Sequence, residues 1–334
     1  MKPLYRNLFF VFGIMCVVFM VVHFDSDGTV AAQFVQSAWP WLVAVLAVWI
    51  PVYMCNAVAY KTVVNLTGTP HDARLSYPAS LRLTVSGFAF SYITPLGFGG
   101  LPYRIMELRP RFGTTRATAS TLLYSMTHVL SHFLLWTTAA LMFPLVYADK
   151  MDAPLGVFIV LFVIIAVLVY IVFLRGVRSG VAQKLLKVAT ALPLISRFTA
   201  SLATRYGSAA QRIDEGLSML HHAPRAFLKA LFCEYAARLI NTWEFVFILA
   251  AFGHHIGYTD ALLVLAFSSL VGNVFFFLPL QLVAREGGVA AVFVLLGLAP
   301  ALGVYTSLYT RLREIFWVAI GVLFIKFCPK IAQP

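Results

Sequence analysis

The sequence predicts an all-α polytopic membrane protein. Hydrophobic side chains make up 61% of its 334 residues and charged ones only 11%, and the mean hydropathy is +0.86. A soluble domain of this length needs a more polar surface. Long apolar runs also recur along the whole chain, and a spanning helix satisfies its own backbone in lipid.

Six apolar runs of about 20 residues or more predict full crossings of the bilayer. They cover residues 4–24, 39–60, 114–146, 155–174, 224–252 and 300–327.

Two further apolar runs, residues 78–108 and 259–298, are each interrupted near the middle. The first contains SYITPLGFGGLPYR and the second LPLQLVAREGG. An opened backbone survives at membrane depth only where protein or a water-filled cavity surrounds it. We therefore predict two re-entrant helical hairpins. Their breaks are assigned to Pro95, Gly97, Gly99, Gly100, Pro279, Gly287 and Gly288.

The distribution of Lys and Arg predicts the orientation, because cytoplasmic loops hold an excess of both. If both broken runs enter and leave on one side, the basic stretches at residues 61–82, 109–116 and 175–229 all fall on the cytoplasmic face. This scheme places the N- and C-termini in the cytoplasm. It also accounts for the net charge of +12, and we expect no nucleic-acid partner because no basic soluble module of that kind is present.

The chain is predicted to form a single transmembrane domain over residues 1–334. Its parts are the first helix and outer loop (1–38), a first repeat (39–146), a connecting helix with a basic cytoplasmic amphipathic segment (147–223), and a second repeat (224–334). In the predicted topology the two repeats run in opposite senses, and TLLY at 121–124 echoes TSLY at 306–309. Such an inverted repeat is typical of secondary transporters with a site near the midplane.

The first hairpin offers a candidate anion site at Arg104 and Glu107. Glycines before a helix start leave N–H groups that can cradle an anion. Arg104 supplies a forked donor suited to phosphate, and Glu107 lies one turn farther on. The alternative is that these two residues only pair with each other at the cytoplasmic interface.

The second hairpin carries Arg285 and Glu286, which are adjacent and so do not face each other on a helix. Each therefore needs another partner. Arg104 with Glu286, or Arg285 with Glu107, would be contacts across the repeats. An ordinary stabilising pair without substrate is the alternative.

Two of the predicted crossings carry further charges at helical spacing. Glu234 and Arg238 are four residues apart, and Arg311 and Glu314 are three apart. Because a charge facing lipid is costly, these sides should face the interior of the bundle. They either bind substrate or fix helix packing.

The sequence predicts neither a metal nor a cofactor. His128 and His132 are four residues apart, but HVLSH lacks the Glu of HExxH and a third ligand. Motifs of nucleotide hydrolysis, serine hydrolysis and dinucleotide binding are also missing from the 334 residues. We therefore expect a transporter rather than an enzyme.

Two long segments resemble the transmembrane flippase domain of bacterial lysylphosphatidylglycerol synthases. They are TPLGFGGLPYRIMEL, and PLQLVAREGGVAAVFVLLGL followed by SLYTRLREIFW. The resemblance implies a multi-pass protein of the bacterial inner membrane that moves a lipid headgroup between leaflets. Because the 334 residues do not include the aminoacyl-transfer domain of the fused proteins, we expect no lipid synthesis.

The expected function is thus a lipid flippase or scramblase for a phosphate-bearing lipid, such as aminoacylated phosphatidylglycerol, a polyprenyl phosphate or a glycolipid. The alternatives are a membrane-embedded enzyme acting on lipid headgroups and a small-molecule permease. The expected partners are the membrane and an anionic lipid. The sequence leaves open whether the protein forms a homo-oligomer.

Overall fold

The computed structural model describes residues 15, 18–19, 22–36, 39–68, 73–94, 99–179, 223–275 and 284–328. Regular structure in these ranges is helical throughout, which confirms the all-α fold class. The first half contains α1 (Thr29–Gln36), α2 (Trp39–Leu66), α3 (Tyr77–Ile93), α4 (Gly100–Phe112), α5 (Thr114–Val146) and α6 (Ala153–Ser179). The second half contains α7 (Pro224–Asn241), α8 (Trp243–Ala251), α9 (Tyr258–Val274), α10 (Ala284–Leu296) and α11 (Pro300–Phe327).

Three of these helices are long and apolar enough to cross a membrane. They are α2, α5 and the Ala153–Phe173 part of α6. The predicted crossing at residues 224–252 is divided at Thr242 into α7 and α8. The crossing predicted at 300–327 is one helix of 28 residues, but it contains Arg311, Arg313 and Glu314 within a few positions. Most of residues 4–24 lie outside the described ranges.

Both interrupted runs form two helices separated by a break. In the first run α3 has 17 residues and α4 has 13, and in the second run α9 has 17 and α10 has 13. A long helix follows each pair. The same order of helix lengths therefore occurs in both predicted repeats, although the second repeat begins with the divided pair α7 and α8.

The start of α4 lies against the end of α3. A Cβ atom on Gly100 would lie 2.4 Å from the carbonyl oxygen of Gly87, so only glycine allows this approach. The Gly99 N–H donates to Thr94 Oγ1 at 2.8 Å, which closes the turn. Of the residues assigned to the first break, Gly99 directly precedes α4 and Gly100 is its first residue. Pro95 and Gly97 lie outside the described residues.

The second break differs from its prediction. Gly287 and Gly288 lie inside α10, which begins at Ala284. The helix formers Ala284, Arg285 and Glu286 are its first three residues. Pro279 and the amphipathic segment at 180–222 lie outside the described residues.

Helices α10 and α11 run antiparallel at close range. A Cβ on Gly303 would lie 2.6 Å from the Cα of Ala290. Farther along the same pair, Arg285 contacts Glu314. A residue early in α10 thus meets one late in α11, and the glycine lets the two backbones nearly touch.

The loop before α1 is held by a side-chain cap. The Asp25 carboxylate accepts the N–H groups of Val30 at 3.1 Å and Ala31 at 2.8 Å. The Tyr305 hydroxyl donates to the same carboxylate at 3.0 Å. Asp25 therefore satisfies two free N–H groups of the first turn of α1 and joins this loop to α11.

The chain divides into two compact units. Unit 1 comprises Met1–Cys55, Thr84–Gly100 and Tyr235–Cys328, and unit 2 comprises Asn56–Leu83, Leu101–Glu234 and Pro329–Pro334. Each unit takes segments from both predicted repeats.

Candidate functional site

In unit 2, Arg104 lies against two aromatic rings. Its Cζ is 5.4 Å from the ring centroid of Tyr60 on α2 and 5.2 Å from that of Tyr124 on α5. Both tyrosines are buried, and Arg104 Nε donates to the Leu83 carbonyl at 3.4 Å. Ring faces attract a cation most strongly where water is excluded. The rings thus hold a guanidinium, a group with five N–H donors, one turn into the helix that follows the first break.

Glu107 has a partner other than Arg104. Arg82 Nη2, on α3, donates to Glu107 Oε2, and the two side chains are largely buried. Glu107 thus joins α4 to α3 through Arg82, whereas its pairing with Arg104 was the alternative to an anion site. Arg82 was not among the predicted site residues, because the sequence analysis assigned it to the end of the basic stretch at residues 61–82.

The third element of the site in unit 2 is a His–Glu pair. His128 Nδ1, near the middle of α5, lies 2.7 Å from Glu234 Oε2 on α7. The Glu234 side chain is 1% exposed, whereas that of His128 is 42% exposed. Glu234 also hydrogen-bonds the Tyr124 hydroxyl. One buried carboxylate thus joins an accessible imidazole to the tyrosine beneath Arg104.

Arg238 lies one turn after Glu234 on α7 and is half-buried. Their spacing places the two side chains on the same face of the helix, as predicted.

In unit 1, Arg285 binds two residues of α11. Its Nη1 donates to Glu314 Oε1 at 2.6 Å and its Nη2 to Thr310 Oγ1 at 2.8 Å. Arg285 and Glu107 therefore each have a partner within their own unit.

Glu286 is fully buried. It also binds residues of α11, about one helical turn from the residues that Arg285 contacts. Arg311 Nε donates to Glu286 Oε1 at 2.8 Å, and the Ser307 hydroxyl donates to the same oxygen at 3.3 Å. The neighbours Arg285 and Glu286 thus reach two different partners, as adjacent helical positions must.

Glu244 on α8 completes the charged group in unit 1. It accepts Arg313 Nε at 2.9 Å and Trp49 Nε1 at 2.9 Å, and the Arg313 guanidinium lies 3.8 Å from the Trp49 ring centroid. Glu244 and Arg313 were not among the predicted binding residues. The charges of Glu244 and Arg313 within apolar runs of the sequence could have marked them as candidates. Their pairing could not be predicted, because no sequence spacing relates residues 69 positions apart.

These contacts form a network, which we call the unit 1 network. Its members are Glu244, Arg285, Glu286, Arg311, Arg313 and Glu314. Three guanidinium groups therefore face three carboxylates, and the formal charges cancel. All three guanidinium groups contact carboxylates of the same unit. The network is thus well suited to holding helices together, whereas Arg104 meets aromatic faces.

The described residues contain no group of three His, Cys, Asp or Glu side chains that could hold a metal ion.

A family model of the lysylphosphatidylglycerol synthase transmembrane region matches residues 8–321. The chain belongs to this family. The match confirms the resemblance drawn from the two hairpin motifs and covers every helix described above except the last turns of α11. Comparisons with curated proteins and with solved structures found no match. Membership of the family identifies a membrane-embedded protein with several helices in the bilayer.

Proposed function

We propose that this family member is a lipid flippase or scramblase that moves a phosphate-bearing lipid between the leaflets of the bacterial inner membrane. The observation that carries the proposal is the position of Arg104. It lies next to a helix break, against the rings of Tyr60 and Tyr124. A charged side chain within a membrane domain marks a substrate pathway more often than a lipid-facing surface.

We propose the edge of the Arg104 guanidinium, beside the rings of Tyr60 and Tyr124, as the contact for the headgroup. That edge offers the forked geometry that a phosphodiester accepts in a bidentate manner. The acyl chains would remain in the bilayer while the headgroup passes Arg104. In this scheme Glu234 and Glu107 balance charge around the headgroup.

The topology of the proposal has six full crossings, with the two broken runs as re-entrant hairpins that enter from opposite faces. The equal helix lengths in the two hairpins support this arrangement. The internal ion pairs of the unit 1 network also support it, since they keep the charges of α8, α10 and α11 away from lipid.

Reconstitution into proteoliposomes tests the proposal. Fluorescent phosphatidylglycerol is placed in both leaflets, and a membrane-impermeant reductant bleaches the outer leaflet. Protein-free vesicles should retain about half of the fluorescence, whereas vesicles with the protein should lose most of it as inner-leaflet lipid is exposed. Equal loss with and without protein, for this probe and for polyprenyl-phosphate and glycolipid probes, would overturn the proposal.

Mass spectrometry of the same vesicles separates transport from lipid chemistry. A translocase leaves the mass of each lipid unchanged while it changes leaflets. A new lipid product that appears only with the purified protein would favour the alternative of a membrane-embedded enzyme.

A further inference from the structure

We propose that His128 and Glu234 form a proton-binding site that couples lipid movement to a pH gradient. This inference rests on the proposed translocase function and adds the identity of the coupling ion. It starts from the 2.7 Å contact between an accessible imidazole and a buried carboxylate in unit 2.

The pair has the two properties that a coupling site needs. Glu234 is 1% exposed, so its charge state depends strongly on its immediate neighbours. His128 is 42% exposed near the middle of α5, so in this proposal the imidazole takes up the proton while the carboxylate stays buried. Histidine is also the side chain whose ordinary pKa lies closest to physiological pH.

The groups around the pair come from four helices. On α5 they are Tyr124, which bonds Glu234, and His132, whose ring centroid is 5.3 Å from that of His128. On α7, Cys233 and Arg238 lie within one turn of Glu234, and Lys229 interacts with Cys233. Tyr60 on α2 and Arg104 on α4 are neighbours of Tyr124. Tyr124 contacts both the carboxylate and the guanidinium, so the pair and Arg104 share one neighbouring side chain.

Because the His128–Glu234 pair lies close to Arg104, protonation of the pair affects binding of the lipid headgroup. A proton added to the pair raises the positive charge near Arg104, which strengthens binding of an anion there. By thermodynamic reciprocity, a bound anion raises the proton affinity of the pair by the same factor. For a lipid of single negative charge, co-transport with one proton is electroneutral.

The test uses the full-length protein in proteoliposomes with fluorescent phosphatidylglycerol and a pH difference of one unit, with the membrane potential clamped at zero. One proton per lipid predicts up to about a tenfold excess of probe in the leaflet facing the alkaline side, since one pH unit is a factor of ten in proton activity. A protonophore should restore an even distribution.

Two variants assign the effect to the pair. Glu234→Gln keeps the size of the side chain but removes its charge. If loss of the buried carboxylate prevents folding, His128→Gln tests the same pair by changing its more exposed member. Each should leave the probe evenly distributed in the gradient. His254→Gln, an exposed position in the loop between α8 and α9, should keep the wild-type excess.

The outcomes separate this inference from the proposed function. No exchange of probe by the wild type at equal pH counts against the translocase itself. Exchange at equal pH without accumulation in the gradient overturns only proton coupling. Wild-type accumulation by both Glu234→Gln and His128→Gln, or its loss in His254→Gln, overturns the assignment to this pair.

Discussion

Glu286 and Arg311 form a buried ion pair across the antiparallel helices α10 and α11, with Nε donating to Oε1 at 2.8 Å. The carboxylate side chain is 0% exposed and the guanidinium 13% exposed. A carboxylate in this setting depends on its cation, because desolvation would otherwise disfavour its charge. The pair therefore gives a direct test of how the two helices are held together.

Removing the cation alone should destabilise the protein severely. Arg311→Leu leaves the buried Glu286 charge without its guanidinium, which costs about 3–5 kcal/mol in comparable buried pairs. The double variant Glu286→Met/Arg311→Leu removes both charges and should recover most of this loss. Thermal unfolding in detergent, followed by tryptophan fluorescence, measures both effects. A double variant as unstable as Arg311→Leu would contradict this account.

Substitution of Arg104 should separate charge from shape in lipid translocation. Arg104→Gln removes the cation and is expected to lower the rate at least about tenfold, since one charge-assisted hydrogen bond is worth roughly 1.5–3 kcal/mol. Arg104→Lys keeps the charge but loses the forked pair of donors. Its translocation rate should therefore lie between those of the wild type and Arg104→Gln.

Arg109→Gln provides the matched control for Arg104. It removes the same charge from an exposed position in the last turn of the same helix. The scramblase assay with fluorescent phosphatidylglycerol measures all three variants. Equal rates in Arg104→Gln and Arg109→Gln would show that the position against the tyrosine rings has no special role.

Two glycines of unit 1 should respond oppositely to alanine. In Gly303→Ala the new Cβ would meet the backbone of Ala290, and forcing α10 and α11 apart should cost about 1–3 kcal/mol. In Gly287→Ala it meets no heavy atom within 4 Å among the described residues. That variant should be neutral or more stable by up to about 1 kcal/mol, because alanine favours the helix. Melting temperatures that fall equally would contradict the close approach.

The Asp25 cap should make the loop before α1 sensitive to acid. Partial burial tends to raise the pKa of this carboxyl, but hydrogen bonds from the Val30 and Ala31 amides and the Tyr305 hydroxyl lower it below its ordinary value. A lowered pKa means that the folded state binds its proton less tightly than the unfolded chain. The contribution to stability is therefore present above the ordinary pKa and disappears as pH falls through the folded value.

Hydrogen exchange of the Val30 and Ala31 amides measures this effect. Protection should fall as the solution is acidified below about pH 4. Asp25→Asn should abolish that pH dependence, whereas Asp27→Asn, whose side chain contacts only Ser26 among the described residues, should not. Unchanged acid dependence in Asp25→Asn would contradict the cap.

The positions of the breaks could be predicted from the sequence only in part. Gly99 and Gly100 were identified because proline and glycine open a helix, and their close contacts with α3 explain why they must be glycine. Gly287 and Gly288 gave the same signal but belong to α10. There the helix formers before them dominate, and Gly288 instead gives Val271 room to pack.

The partners of the charged residues could not be predicted at all. Helical spacing correctly placed Glu234 and Arg238 on one face, because neighbours on a helix follow from its geometry. It could not find His128 for Glu234, 106 residues away, or Glu314 for Arg285, 29 residues away. Those pairs depend on how each helix is rotated about its axis, and a single sequence does not contain that information.

The wide sequence separation within the unit 1 network has a consequence for biosynthesis. Arg313 follows Glu244 by 69 residues, which takes a ribosome roughly 3–14 s at about 5–20 residues per second. During this interval α8 reaches the membrane with a carboxylate whose guanidinium has not been made. Trp49, synthesised 195 residues before Glu244, is already available as a donor. A contact between Glu244 and Trp49 can therefore form before Arg313 has been synthesised.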